Sequence, residues 1–223
     1  MKTDIQIQQD VMEQIKWQSL LNAAEIGVSV KDGIVTLSGH VDTYAKKTAA
    51  EKAAKKVKGV KAIAEEICVG ISTSDKKNDG EIAEAVANAL KWNSAVKDEK
   101  IKIKVEDGFV TLTGEVEWDI ERTNATDAIK NLTGVVMVFN LVTIKPKPLA
   151  ENVSQKIQAA FARHASIDAS KIKVEIVGNK AILTGYVRSF VESEDAEAAA
   201  WAAPGVNAVE NKLEIGEEEF AYN

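Results

Sequence analysis

Cysteine is almost missing from this chain. Cys68 stands alone among 223 residues, which excludes an internal disulfide. Histidine is nearly as scarce, at two residues. No His/Cys group has zinc spacing, and neither an EF-hand loop nor a Gly-x-x-x-x-Gly-Lys phosphate loop occurs, so the sequence offers no catalytic residue, metal site or cofactor. No apolar run approaches the roughly 18 to 20 residues of a membrane-spanning helix. Met1-Lys2-Thr3-Asp4 leads straight toward a helical pattern without a signal-peptide core, which predicts a cytoplasmic chain, or a periplasmic one only if a leader was removed. The net charge of −6 opposes the phosphate attraction that dominates nucleic-acid binding.

What the chain has in abundance is repetition. Gly39 and Gly59, Gly114 and Gly134, and Gly185 and Gly205 are each twenty residues apart. An offset of 75 carries the first copy onto the second without a gap, and 71 carries the second onto the third. Alternating β-branched triplets precede the first glycine of each pair: Ile26, Val28, Val30; Ile101, Ile103, Val105; Ile172, Val174, Ile176. Period two predicts a strand. A turn follows at Asp32-Gly33, Asp107-Gly108 and Gly178-Asn179, then a second strand through Val35, Leu37 and their equivalents. Asn179 stands where the other copies have glycine, and asparagine is the side chain that best tolerates positive φ.

Upstream, Ile7, Val11 and Ile15 recur as Ile82, Val86, Leu90 and as Val153, Ile157, Phe161, a helical stripe spaced by four. Between the paired glycines lie alanine-rich segments such as Tyr44 to Lys58, long enough for about four helical turns. A last alternating run follows each second glycine. The prediction is an α+β chain of three tandem α-β-β-α-β modules, each a three-stranded mixed sheet with both helices on one face. The predicted bounds are 1–70, 82–145 and 153–216, with a flexible linker at 71–81, a proline-stiffened linker at 146–152 and an acidic tail at 217–223. On that basis modules one and two are the freer pair, and modules two and three hold a fixed pose.

This order of elements, with Leu-Ser-Gly-His-Val, Leu-Thr-Gly-Glu-Val and Leu-Thr-Gly-Tyr-Val before the second helix and Gly-Val after it, resembles the BON domain. The resemblance covers nearly the whole chain. It implies a bacterial, non-enzymatic module of envelope-stress or osmotic-stress proteins, or of channel- and secretin-associated ones. It also implies binding to phospholipid or other envelope components. Some cytoplasmic members resemble potassium sensors, so a monovalent-cation sensor or a protein-interaction scaffold is the alternative. No catalytic motif belongs to the family.

Neither His40 nor His164 recurs among the copies, and no serine or cysteine motif marks a nucleophile. Cys68 is replaced by Thr143 and Glu214, which predicts packing or surface duty. Charge is distributed unevenly: the three repeat windows net +1, −3 and −1. Lys47, Lys52, Lys55 and Lys58, in and after the second helix of module one, are the candidates for contact with anionic phospholipid, or else its solvated face.

Trp17 and Trp92 share one site near the end of the first helix, on the flank of the core or on a partner surface. Trp201 aligns with Lys55 and Lys130, on the expected solvent face of the second helix. It is therefore a candidate contact with another module, a second chain or a membrane. Phe109, Phe139 and Leu141 give module two an apolar open sheet face where module three has Lys180, Glu210 and Lys212; neighbours bury it, or a ligand does. The glycines Gly39, Gly59, Gly114, Gly134, Gly185 and Gly205 are structural, and those before the second helix are expected to let the second strand approach that helix.

Overall fold

The computed structural model describes residues 2–70, 77–147 and 151–216. The expectations for residues 71–76 and 148–150 of the linkers and for the tail 217–223 lie outside them. Module one runs α1 (Asp4–Lys16), β1 (Ile26–Lys31), β2 (Ile34–Val41), α2 (Tyr44–Lys55), β3 (Ala62–Val69). Module two repeats the order as α3 (Asp79–Trp92), β4 (Ile101–Glu106), β5 (Phe109–Val116), α4 (Asp119–Ile129), β6 (Met137–Ile144). Module three does so as α5 (Val153–Arg163), β7 (Ile172–Val177), β8 (Lys180–Val187), α6 (Phe190–Trp201), β9 (Ala208–Ile215).

Local chemistry sets the helix starts. Thr3 and Gln6 form a reciprocal cap at α1, and Asn78 and Glu81 do the same at α3. That second cap starts α3 at Asp79, three residues inside the expected linker. Ile7, Val11 and Ile15 are buried, as are their equivalents in α3 and α5.

Each sheet has its second strand in the centre, antiparallel to the first and parallel to the third. Val35, Leu37 and Val41 of β2 point at the helices and are buried, while Ile34, Thr36 and Ser38 point away. Ala45, Ala50, Ala53 and Ala54 of α2 are buried too, and their small side chains let the helix lie close to the sheet.

Gly39, Gly114 and Gly185 all adopt positive φ. A β-carbon on any of them would stand 2.0 Å from the carbonyl oxygen of Glu25, Lys100 or Lys171. The close approach is therefore to the backbone entering the first strand, not to the second helix. Gly39 is the register partner of Ile26, and positive φ there turns the missing side chain onto the preceding carbonyl.

The hairpin turns differ in a way the sequence pattern misjudged. Asp32 and Gly33, and Asp107 and Gly108, all have positive φ, whereas in module three Gly178 does and Asn179 does not. A β-carbon on Gly108 would meet the Gly134 carbonyl oxygen at 2.6 Å. Asn179 turns this proximity into bonding, because its Nδ2 donates to the equivalent Gly205 carbonyl at 2.6 Å and to the Lys147 carbonyl at 2.7 Å.

Met1–Ile144 form one compact unit and Lys145–Asn223 another. Modules one and two, expected to be the freer pair, thus share a unit. The Ala45 N–H in the first turn of α2 donates to the Lys130 carbonyl just beyond α4 at 3.0 Å. Two groups that helix ends leave unpaired thereby satisfy each other.

Candidate functional surface

The module-one lysines do not form one face. Lys47 lies in the seam between α2 and β3, its side chain 12% exposed and its Nζ 3.7 Å from Glu65. Burial pushes the Glu65 carboxyl above its usual range against the pull of Lys47. Asn140 and Asn211 hold the position of Glu65 in the other modules. Asn140 donates to the Arg122 carbonyl and Thr126, and Asn211 to Ser193 and Glu197. This seam ties the second helix to the third strand in each copy. Lys55 pairs with Glu51 at 2.9 Å along the helix. Lys52 and Lys58 are exposed.

Trp201 is half-buried and packs against the core of its own module, with Nε1 donating to Glu197 at 3.4 Å. It is not on the solvent face, because its side chain lies back over the core edge. Trp17 and Trp92 do the opposite: they are 82% and 84% exposed, off the flank of the core. Each closes its helix beyond the last buried residue, Ile15 or Leu90, so no core position is left to receive it.

On the open face of module two, Phe109, Phe139 and Leu141 remain exposed, and the two phenylalanine rings stack with centroids 6.2 Å apart. Module three places Lys180 and Lys212 around Glu210 instead, at 2.5 and 2.7 Å. The two lysines hold that carboxyl down to about 2.

Two buried carboxylates escaped the sequence reading. Glu121 and Glu192 occupy equivalent positions in the first turns of α4 and α6. Glu192 accepts from the Asp168 and Arg188 N–H groups at 2.7 and 2.8 Å and from Arg188 Nε at 3.0 Å. Burial alone would raise its pKa, but the Arg188 side chain and these N–H groups outweigh it and hold the carboxyl below its usual range. Glu121 accepts from the Glu117 and Trp118 N–H groups, with Lys97 at 3.2 Å. Their offset of 71 was the available signal; module one has Lys46 there and caps α2 with Thr43 instead.

His40 and Cys68 are register partners on the open face of module one, and His40 Nε2 lies 2.8 Å from the Gly70 carbonyl. His164 Nδ1 is 3.0 Å from Ser166 Oγ, whose proton goes to Asp195. The hydroxyl is thus bound to a carboxylate rather than offered to the imidazole, the reverse of an activated nucleophile. Among the described residues, no group of three His, Cys, Asp or Glu side chains is placed to hold a metal, and no helix is long and apolar enough to cross a membrane.

The profile of the BON domain matches residues 3–71, 78–146 and 150–217, one match per three-stranded sheet. The chain belongs to the BON-domain family. A relative, the Osmotically-inducible protein Y of Escherichia coli (strain K12), is 28% identical over 144 residues, covering 61% of this BON chain and 72% of the relative. Among solved structures, the C-terminal domain of CdsD, titled as the structural protein of the Type III secretion system of Chlamydia trachomatis, aligns over 97% of this chain and all of its own, at 15% identity and a TM-score of 0.27. A second CdsD structure aligns over 95% of this BON chain and 92% of its own, at 15% identity and a TM-score of 0.28.

Proposed function

We propose that this BON-domain protein is a non-catalytic, osmotic- or envelope-stress-associated protein that attaches peripherally to anionic phospholipid. The family and the osmotically inducible relative support the stress association. The observation that carries the membrane reading is the surplus of exposed lysine on module one, where Lys52, Lys56, Lys58 and Lys61 all face solvent in a chain of net charge −6. Such lysines attract an anionic bilayer surface within about a Debye length.

Co-sedimentation with liposomes tests it. Binding to phosphatidylglycerol-containing vesicles that fades with salt, and none to phosphatidylcholine, is the expected result. Equal recovery in the supernatant with both lipids at low salt rejects membrane attachment. A second reading rests on the stacked Phe109 and Phe139 with Leu141: an apolar sheet face of this kind suits a protein partner, and the chain is then a scaffold. Crosslinking at that face in a lysate, lost on replacing the three residues, is what this reading expects.

A further inference from the structure

We infer that the membrane-facing element is one pole of module one, where the α2–β3 loop meets the hairpin turn, rather than the α2 helix face. The inference rests on the phospholipid reading above and names its contact site.

Three segments converge at this pole. Asp4 in the first turn of α1 accepts from the Asp32 and Gly33 N–H groups of the hairpin turn at 2.8 and 3.0 Å. Lys61, entering β3, donates its N–H to the Gly33 carbonyl at 2.9 Å, and its side chain lies so close that a β-carbon on Gly33 would stand 3.2 Å from it. The convergence gathers Lys31 from the end of β1 with Lys56, Lys58 and Lys61 from the α2–β3 segment. All four are exposed, and none makes an ion pair among the described residues. The converging segments carry two carboxylates, Asp4 and Asp32, against these four lysines. Lys47 and Lys55, by contrast, already face Glu65 and Glu51.

Two further observations favour a bilayer as the occupant. Ile5 follows Asp4 and Ile34 follows Gly33 in the chain, at 68% and 46% exposure, so the segments that meet at the pole carry exposed apolar side chains suited to an interface as well as lysines. The pole is also peculiar to module one. The positions of Lys31, Lys56, Lys58 and Lys61 hold Glu106, Asn131, Thr133 and Val136 in module two, and Val177, Ala202, Pro204 and Asn207 in module three. A lysine set the fold required would recur in all three.

The test is co-sedimentation of the full chain with phosphatidylcholine vesicles and with phosphatidylcholine–phosphatidylglycerol vesicles at low and physiological salt. A Lys31→Glu, Lys56→Glu, Lys58→Glu, Lys61→Glu variant is compared with the matching four-arginine variant and with Lys47→Gln, Lys55→Gln. At about fivefold per lysine, charge reversal at the pole is expected to weaken binding a hundredfold or more, while the arginine and the Lys47/Lys55 variants stay within about threefold of wild type. Thermal melting confirms that each variant is folded. Wild-type vesicle binding that the four-glutamate variant retains overturns the pole and leaves membrane attachment standing. No wild-type binding to either vesicle removes both. Pole-dependent binding to RNA or DNA without vesicle binding replaces the bilayer with nucleic acid and overturns the inference.

Discussion

The open sheet faces of modules two and three share one backbone and have opposite chemistry. Register runs Phe109 to Met137 and Thr111 to Phe139 in one, Lys180 to Ala208 and Ile182 to Glu210 in the other. The aligned trio is Phe109, Phe139, Leu141 against Lys180, Glu210, Lys212. Inside, Val110 and Leu112 match Ala181 and Leu183, all buried. The fold thus constrains the face that meets the helices and leaves the other to specialise. Function in this chain is to be sought on outer faces and poles, where copies differ, and stability in the inner faces and special backbone positions, where they agree.

Five experiments sharpen that contrast. The largest effect belongs to what the modules share. Gly114→Ala and Gly185→Ala each force a β-carbon to 2.0 Å from a carbonyl oxygen at positive φ, and each is expected to cost about 4 kcal/mol or more, read as lost hydrogen-exchange protection throughout its module. An equally protected Ala variant would mean the strand can shift to accommodate the side chain.

Next comes Glu192→Ala, expected to cost about 3 kcal/mol because it strands the Asp168 and Arg188 N–H groups. Glu121→Ala costs less, since Glu121 is the more exposed of the two carboxylates and accepts only from the neighbouring Glu117 and Trp118 N–H groups, whereas Glu192 also holds the distant Asp168 N–H. The Glu192 carboxyl titrates below its unfolded value, so its contribution is complete above the unfolded pKa of about 4.3 and is lost as pH falls through the folded one. An acid titration of thermal stability should therefore show module three weakening below about pH 4, and Glu192→Gln flattening that dependence.

Asn179→Ala removes two hydrogen bonds peculiar to module three and is expected to cost about 1 to 2 kcal/mol in a denaturant melt. The smallest change in stability is expected from grafting the outer face of module three onto module two, as Phe109→Lys, Phe139→Glu and Leu141→Lys. Surface exchange of this kind stays within about 1 kcal/mol, while binding of an apolar dye such as ANS falls. A collapse of module two would show that its aromatic face is part of its core.

Much of the fold was legible because it repeats. Periods of two and four, written three times, identify strands and helices, and each element forms from the stripe that announced it. The surface was less legible. Lys47 and Lys52 look alike in the sequence, yet one lies in a helix–strand seam and the other in solvent. Trp17 and Trp201 exchanged their expected places because one residue of helical rotation, or the end of a helix, decides whether a side chain lies on the core or leaves it. Glu121 and Glu192 were invisible because carboxylates ordinarily stay in water.

The sequence by itself determined three copies of one α-β-β-α-β module, the stripes that form their cores, and a chain without cysteine pairs or zinc-finger spacing. These follow from local periodicity and composition, which act over a few residues. Only the tertiary structure decided that Gly39 must clear the Glu25 carbonyl, that Lys47 is engaged by Glu65, and that Lys61 lies against the hairpin turn that follows Lys31. Those outcomes depend on segments about 10 to 30 residues apart being folded against each other, and the distances between such segments are fixed by strand register and helix packing, to which no local pattern refers.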